Sequence, residues 1–194
     1  MKPELLICGY SFSTEHESSW ASLLLTNFNI TNLSQAGCSE YKIYRQLMSV
    51  DVQKYDNVLI SHTSPNRIYV AKHPVHRKDS FHENSCLIYT DIKEHEKLYP
   101  EVKSISEYFE KYFDFEYANH IHNLLIKDIE KICPKNTLHI SHIQWSNLHQ
   151  CRNWLNFKKE FKEHCGSAHN HYTILGNKIV YNTIYNKLKE LYDN

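Results

Sequence analysis

The sequence predicts an α/β protein, a three-layer α/β/α sandwich around a parallel sheet of four or five strands. Three observations carry this. Short apolar runs alternate along the chain with longer segments of helical periodicity. One run, Val58-Leu59-Ile60, is apolar at every central position, as a strand covered on both faces requires. The first run, Leu5-Leu6-Ile7-Cys8, stops at Gly9 and turns through Tyr10-Ser11-Phe12-Ser13, the pattern of a buried strand that delivers a residue to the top of a sheet.

After that first strand, Trp20, Leu23, Leu24 and Phe28 recur at spacings of three and four, which predicts a helix over 18–28. A second short strand is expected over 29–33, a helix over 40–48 and a third strand over 56–61. From Thr63 to about Ser104 the pattern breaks, with Pro65, Pro74 and Pro100 and with His73, His76, His82 and His95. A connection of this length is usually a lid or a disordered segment, and the apolar patches Ile68-Tyr69-Val70 and Leu87-Ile88-Tyr89 favour an ordered lid-like insertion at about 64–104. Its histidines have irregular separations and no pair on a clear helix, so they read as surface or substrate-facing groups, with no metal expected. Residues 105–133 carry a continuous apolar stripe from Phe109, Tyr112, Phe113 and Tyr117 to Ile132, expected to be core and to break near Asp114. Pro134 ends it, 137–141 reads as a strand, 153–164 as a short amphipathic helix and 173–192 as the closing helix.

At 194 residues the chain suits one domain with a full core. Hydrophobic residues at 41% and charged residues at 23% argue against extensive disorder. Lys plus Arg and Asp plus Glu number 22 each, so no net positive field draws the chain to nucleic acid or an anionic membrane. The sequence enters strand-like residues directly after Met1-Lys2-Pro3-Glu4, with no apolar run of signal-peptide or membrane-span length, and a cytoplasmic location is expected. The six cysteines form no C-x-x-C pair and are expected as free thiols. No cofactor is expected.

Ser11 has two readings from its context: a helix N-cap, or a nucleophile placed where backbone N–H groups converge. Gly9-Tyr10-Ser11-Phe12-Ser13 resembles the first block of the SGNH (GDSL-type) hydrolase family, whose Gly-Asp-Ser turn carries the nucleophile. His171-Tyr172-Thr173-Ile174-Leu175-Gly176-Asn177 is similar to that family's last block, a catalytic His followed five residues later by a Gly that opens the final helix. Asn32-Leu33-Ser34-Gln35-Ala36-Gly37 resembles its second block, where a glycine N–H joins the oxyanion hole.

The resemblance implies a flavodoxin-like sheet and a serine esterase or acyl hydrolase. Ser11 would be its nucleophile, His171 its general base, and Gly37 with Asn66 or Ser64 its oxyanion donors. The substrate would be a small-molecule or carbohydrate ester. Three positions depart from the family's pattern. Tyr10 stands where the family has Asp, Ser61 to Arg67 replaces the usual Gly-x-Asn, and Ala168 falls where the family's Asp-x-x-His has its acid. Two alternatives follow: a carbohydrate O-acyltransferase or acetylesterase of the same fold, or a binding protein that has kept the fold without the chemistry.

Overall fold

A computed structural model of the chain describes residues 1–76, 78, 82–143, 147–166 and 171–193. Five parallel strands form one sheet in the order β2-β1-β3-β4-β5, a flavodoxin-like arrangement: β1 (Glu4–Cys8), β2 (Asn29–Asn32), β3 (Asn57–His62), β4 (Thr137–Ser141) and β5 (Trp154–Asn156). The central strands β1, β3 and β4 are buried along almost their whole length, and this is why β1 and the middle of β3 read as unbroken apolar runs, while β4 buries His139 between Leu138 and Ile140. β2 and β5 are the half-exposed edges.

Helices α1 (Trp20–Leu24), α2 (Glu40–Met48), α3 (Tyr89–His95), α4 (Lys103–Lys111), α5 (Phe115–Ile132), α6 (Lys158–His164) and α7 (Ile174–Asp193) flank the sheet. α7 packs against α1 and α6, while α2 packs against α5. This division follows from handedness. The chain moves outward from β1 to β2 and then back across β1 to β3, so right-handed crossovers put α1 and α2 on opposite faces. No helix among the described residues is long and apolar enough to cross a membrane. The six cysteines are unpaired.

Four expectations change. The helix expected over 18–28 is only Trp20–Leu24. Ser19 caps it by accepting the Ser22 N–H at 3.1 Å, and beyond Leu24 the Thr26 hydroxyl bonds back to the Leu23 carbonyl at 2.9 Å, a competitor to helix continuation. The helix expected over 153–164 begins with strand β5, because three residues are too few for periodicity to separate strand from helix. The insertion holds α3 and a small apolar cluster of Leu87, Ile92 and Val102. The aromatic stripe of 109–125 is largely outside the core: Tyr112 is 73% and Tyr117 67% exposed, and α5 buries only His122, Ile126 and Ile129. The break at Asp114 stands, because its carboxylate accepts the Tyr117 N–H at 2.9 Å and so caps α5.

A chain of buried ionisable groups ties the carboxyl ends of β3 and β4 to the helices. Glu40, in the first turn of α2, accepts from His62 Nδ1 at 2.7 Å and from the Thr63 N–H at 3.3 Å. His62 Nε2 meets His139 Nδ1 at 2.8 Å, and His139 Nε2 lies 2.9 Å from Glu130, which is paired with Arg152. Burial, set against the Glu130 contact, pushes the His139 imidazole down to about 4.

Burial also pushes His142, beyond β4, down to about 3. Burial opposes ionisation of Glu40, but His62 and His122 hold its carboxyl below the usual range. A histidine with a depressed folded pKa loses stability as pH falls below its unfolded value, and a depressed carboxylate loses it as pH falls through its folded value, so all these groups act in one direction. The melting temperature is therefore expected to fall steadily on acidification below about pH 6.5. His142→Phe, which keeps the ring, should flatten that dependence in thermal melts followed by circular dichroism.

Candidate active site

Four turns beyond the carboxyl ends of the strands surround a cavity of about 740 Å³. In α/β sheets this is the edge at which ligands bind. The first turn follows β1. Gly9 is clamped by the side chain of Gln46 on α2, which accepts the Gly9 N–H at 2.8 Å and donates to its carbonyl at 3.1 Å. A Cβ there would lie 2.3 Å from Ser13 Oγ and 2.7 Å from Ser61 Cβ, so the approach tolerates only glycine. The chain then makes a 3-10 turn, Ser11–Ser13, and Ser11 opens it half-buried against the cavity. α1 begins nine residues later under the cap Ser19, so Ser11 does not cap that helix.

The second turn follows β2. Gly37 has φ +68°, and a Cβ on it would fall 2.3 Å from Ser85 Oγ. Its carbonyl accepts the Cys86 N–H at 2.9 Å and Arg67 Nη1 at 3.2 Å. Neither the Gly37 N–H nor the Ser11 N–H has a hydrogen-bond partner among the described residues. From the third turn, after β3, Arg67 reaches the cavity and also donates from Nε to Thr63 Oγ1 at 3.1 Å. Burial lowers the pKa of its guanidinium, and among the described residues no carboxylate lies within ion-pair distance of it.

The fourth turn carries His171. Its carbonyl accepts the Gly166 N–H at 2.6 Å, and its ring rests 4.7 Å from that of Phe12. Phe12 in turn stacks on His142 at 4.8 Å, and His142 Nδ1 pairs with the Tyr172 hydroxyl at 2.9 Å. Asn177, in the first turn of α7, accepts the Trp20 N–H at 3.0 Å and donates to the Tyr172 carbonyl at 3.3 Å. Gly176 is needed because a Cβ would lie 2.7 Å from His164 Cβ on α6. These contacts hold the His171 turn against the Ser11 turn.

The fold thus brings Ser11, Gly37 and His171 to one cavity. Ser64 lines a second cavity of about 310 Å³, between α2, α4 and α5, and Asn66 lines a third of about 300 Å³ beside Ile88 and Phe113. Ala168 and its neighbour His169 lie outside the described residues. Sequence reasoning passed over Arg67, His16 and Asp91, which line the main cavity together with His76 and His82, two of the histidines read as surface or substrate-facing groups. Arg67, one of four arginines and placed just past the end of a central strand, carried the only readable signal.

Asp91 stands among three imidazoles. Burial opposes its ionisation, but the nearby His73 and His76 imidazoles hold its carboxyl down to about 2. No protein-family model matches this chain, and no curated protein matches its sequence.

Asn177→Ala would leave the buried Trp20 N–H without an acceptor. We expect a loss of about 1–3 kcal/mol in urea unfolding. Asn177→Asp keeps the acceptor and should lose less.

Proposed function

We propose that this protein is a serine-dependent acyl-ester hydrolase of the SGNH kind. The supporting observation is the meeting, on one cavity, of a serine, a histidine from a distant turn, and two backbone N–H groups with no partner among the described residues. In this reading Ser11 Oγ attacks the ester carbonyl carbon while its proton passes to His171. The negative charge that develops on the carbonyl oxygen is received by the N–H groups of Ser11 and Gly37. Collapse of the tetrahedral species breaks the bond to the alcohol, which leaves with the proton from His171. Water repeats the sequence on the acyl-serine and releases the acid. The phenyl face of Phe12 fixes the plane of the His171 ring. Ser64 and Asn66, which line other cavities, are left without a role, and Arg67 is the cavity's nearest fixed cation.

A fluorophosphonate probe should label folded protein on Ser11, as read by mass mapping, and Ser11→Ala should not be labelled. Absence of adduct on folded wild-type protein overturns the reading. His171→Ala should reduce hydrolysis of an activated acetyl ester by about 10²–10⁴-fold. The wall formed by Ser85, Cys86 and Ile88 from the inserted segment favours a second reading, transfer of the acyl group to a sugar or other alcohol in place of water. Product ratios that change when candidate sugars are added would support transfer, and unchanged ratios would support hydrolysis.

A further inference from the structure

We propose that His73, His76 and Asp91 form a binding site for one divalent transition-metal ion of the zinc class, opening onto the main cavity. His73 Nε2 lies 3.2 Å from Asp91 Oδ2, and His76 Nε2 lies 3.0 Å from Oδ1 and 3.2 Å from Oδ2. A tetrahedral ion with metal–ligand bonds of about 2.0–2.2 Å separates its ligand atoms by about 3.3–3.6 Å; the two His–Asp separations are close to that spacing, and all three ligand atoms lie within 4.8 Å of one another.

The second observation is independent of proximity. His73 is fully buried, and its Nε2 has no aligned hydrogen-bond partner despite the nearby carboxylate. A buried polar nitrogen left this way costs free energy, and an ion in front of it would remove that cost. The surrounding imidazoles exceed what one carboxylate needs. His95 Nδ1 lies 3.4 Å from Asp91 Oδ1 and 2.8 Å from the Asp91 carbonyl, and the His82 ring stands 5.5 Å from that of His76. His95 is then the outer partner that orients Asp91.

Imidazole and carboxylate donors with no thiolate suit zinc or cobalt over soft Cu(I) and over the all-oxygen sites of calcium or magnesium. Three protein ligands leave a fourth position. His76, His82 and Asp91 all line the cavity, so that position faces its interior.

A rival cluster, Glu130, His139 and Cys151, already has its carboxylate taken: Arg152 pairs with Glu130, and His139 Nδ1 meets His62. Loading the His73 site has one local requirement. His73 Nδ1 accepts the N–H groups of Val75 and His76 at 3.2 and 3.3 Å, and an ion on Nε2 moves the ring's proton to Nδ1. Those two contacts must open.

The inference does not rest on the Ser11 chemistry and is tested without substrate. Full-length metal-free protein titrated with Co²⁺ should develop visible ligand-field bands that saturate at one equivalent and vanish on adding Zn²⁺. The Val75 and His76 amide resonances should shift with the same stoichiometry. His76→Gln, at a partly exposed position, and Asp91→Asn should each weaken Zn²⁺ binding at least tenfold with circular dichroism unchanged, whereas Cys151→Ser should not. If Asp91→Asn does not fold, His76→Gln decides. Absence of stoichiometric binding overturns the proposal, as does an affinity that His76→Gln leaves unchanged.

Discussion

Glu40 is a carboxylate with almost no water around it, and the carboxyl edge of the sheet is arranged to supply what water would have given. Its position in the first turn of α2 lends it the positive end of the helix, but a first-turn dipole is a small offset to full burial. The larger share comes from the contact with His62 Nδ1 and from the nearby His122, and beyond His62 the contacts run on through His139 to Glu130. A pair broken anywhere along this chain would leave an uncompensated ion in the interior. That constraint fixes the ends of β3 and β4, the neighbouring turns of α2 and α5, and hence the floor from which the Arg67 turn rises.

The fold was legible because burial on two faces leaves an unmistakable mark. Val58-Leu59-Ile60 had no polar residue to hide, and 40–48 and 137–141 were bounded correctly by their own periodicity. The edges were less legible for the same reason. β5 is half-exposed and three residues long, too short for its alternation to be read, and the helix after it supplied the dominant pattern. The aromatic stripe along α4 and α5 misled differently. Helical spacing shows that one face is apolar but not what covers it, and Tyr112 and Tyr117 face outward above the second cavity.

The candidate site divides along similar lines. Ser11, Gly37 and His171 were readable because each stands beside a glycine or is one, and close packing enforces those glycines: Gly9 against Ser61, Gly37 against Ser85, Gly176 against His164. Side chains that arrive from the insertion were not readable. Residues 73, 76, 82 and 91 have no common period, since they come from a turn, a loop and the start of α3, and the antiparallel bridge between Ile68 and Leu87, with the His73 N–H bonded to the Glu83 carbonyl, folds that segment back so that they converge. Metal-like spacing is informative when ligands share one helix or hairpin. It is silent when tertiary structure does the gathering.

The bond between Asn177 and the Trp20 amide joins groups 157 residues apart in sequence. Loop closure over such a span is entropically expensive and comes late, after the local helices and the β1–β3 pairing have formed. During synthesis the Ser11 turn leaves the ribosome long before the His171 turn exists. Until α7 arrives, Trp20, Leu24 and Phe28 have no Val180, Ile184 or Leu188 to cover them. The nascent chain therefore carries an open apolar face until α7 has been made, and the cavity is closed only when the turn before α7 docks.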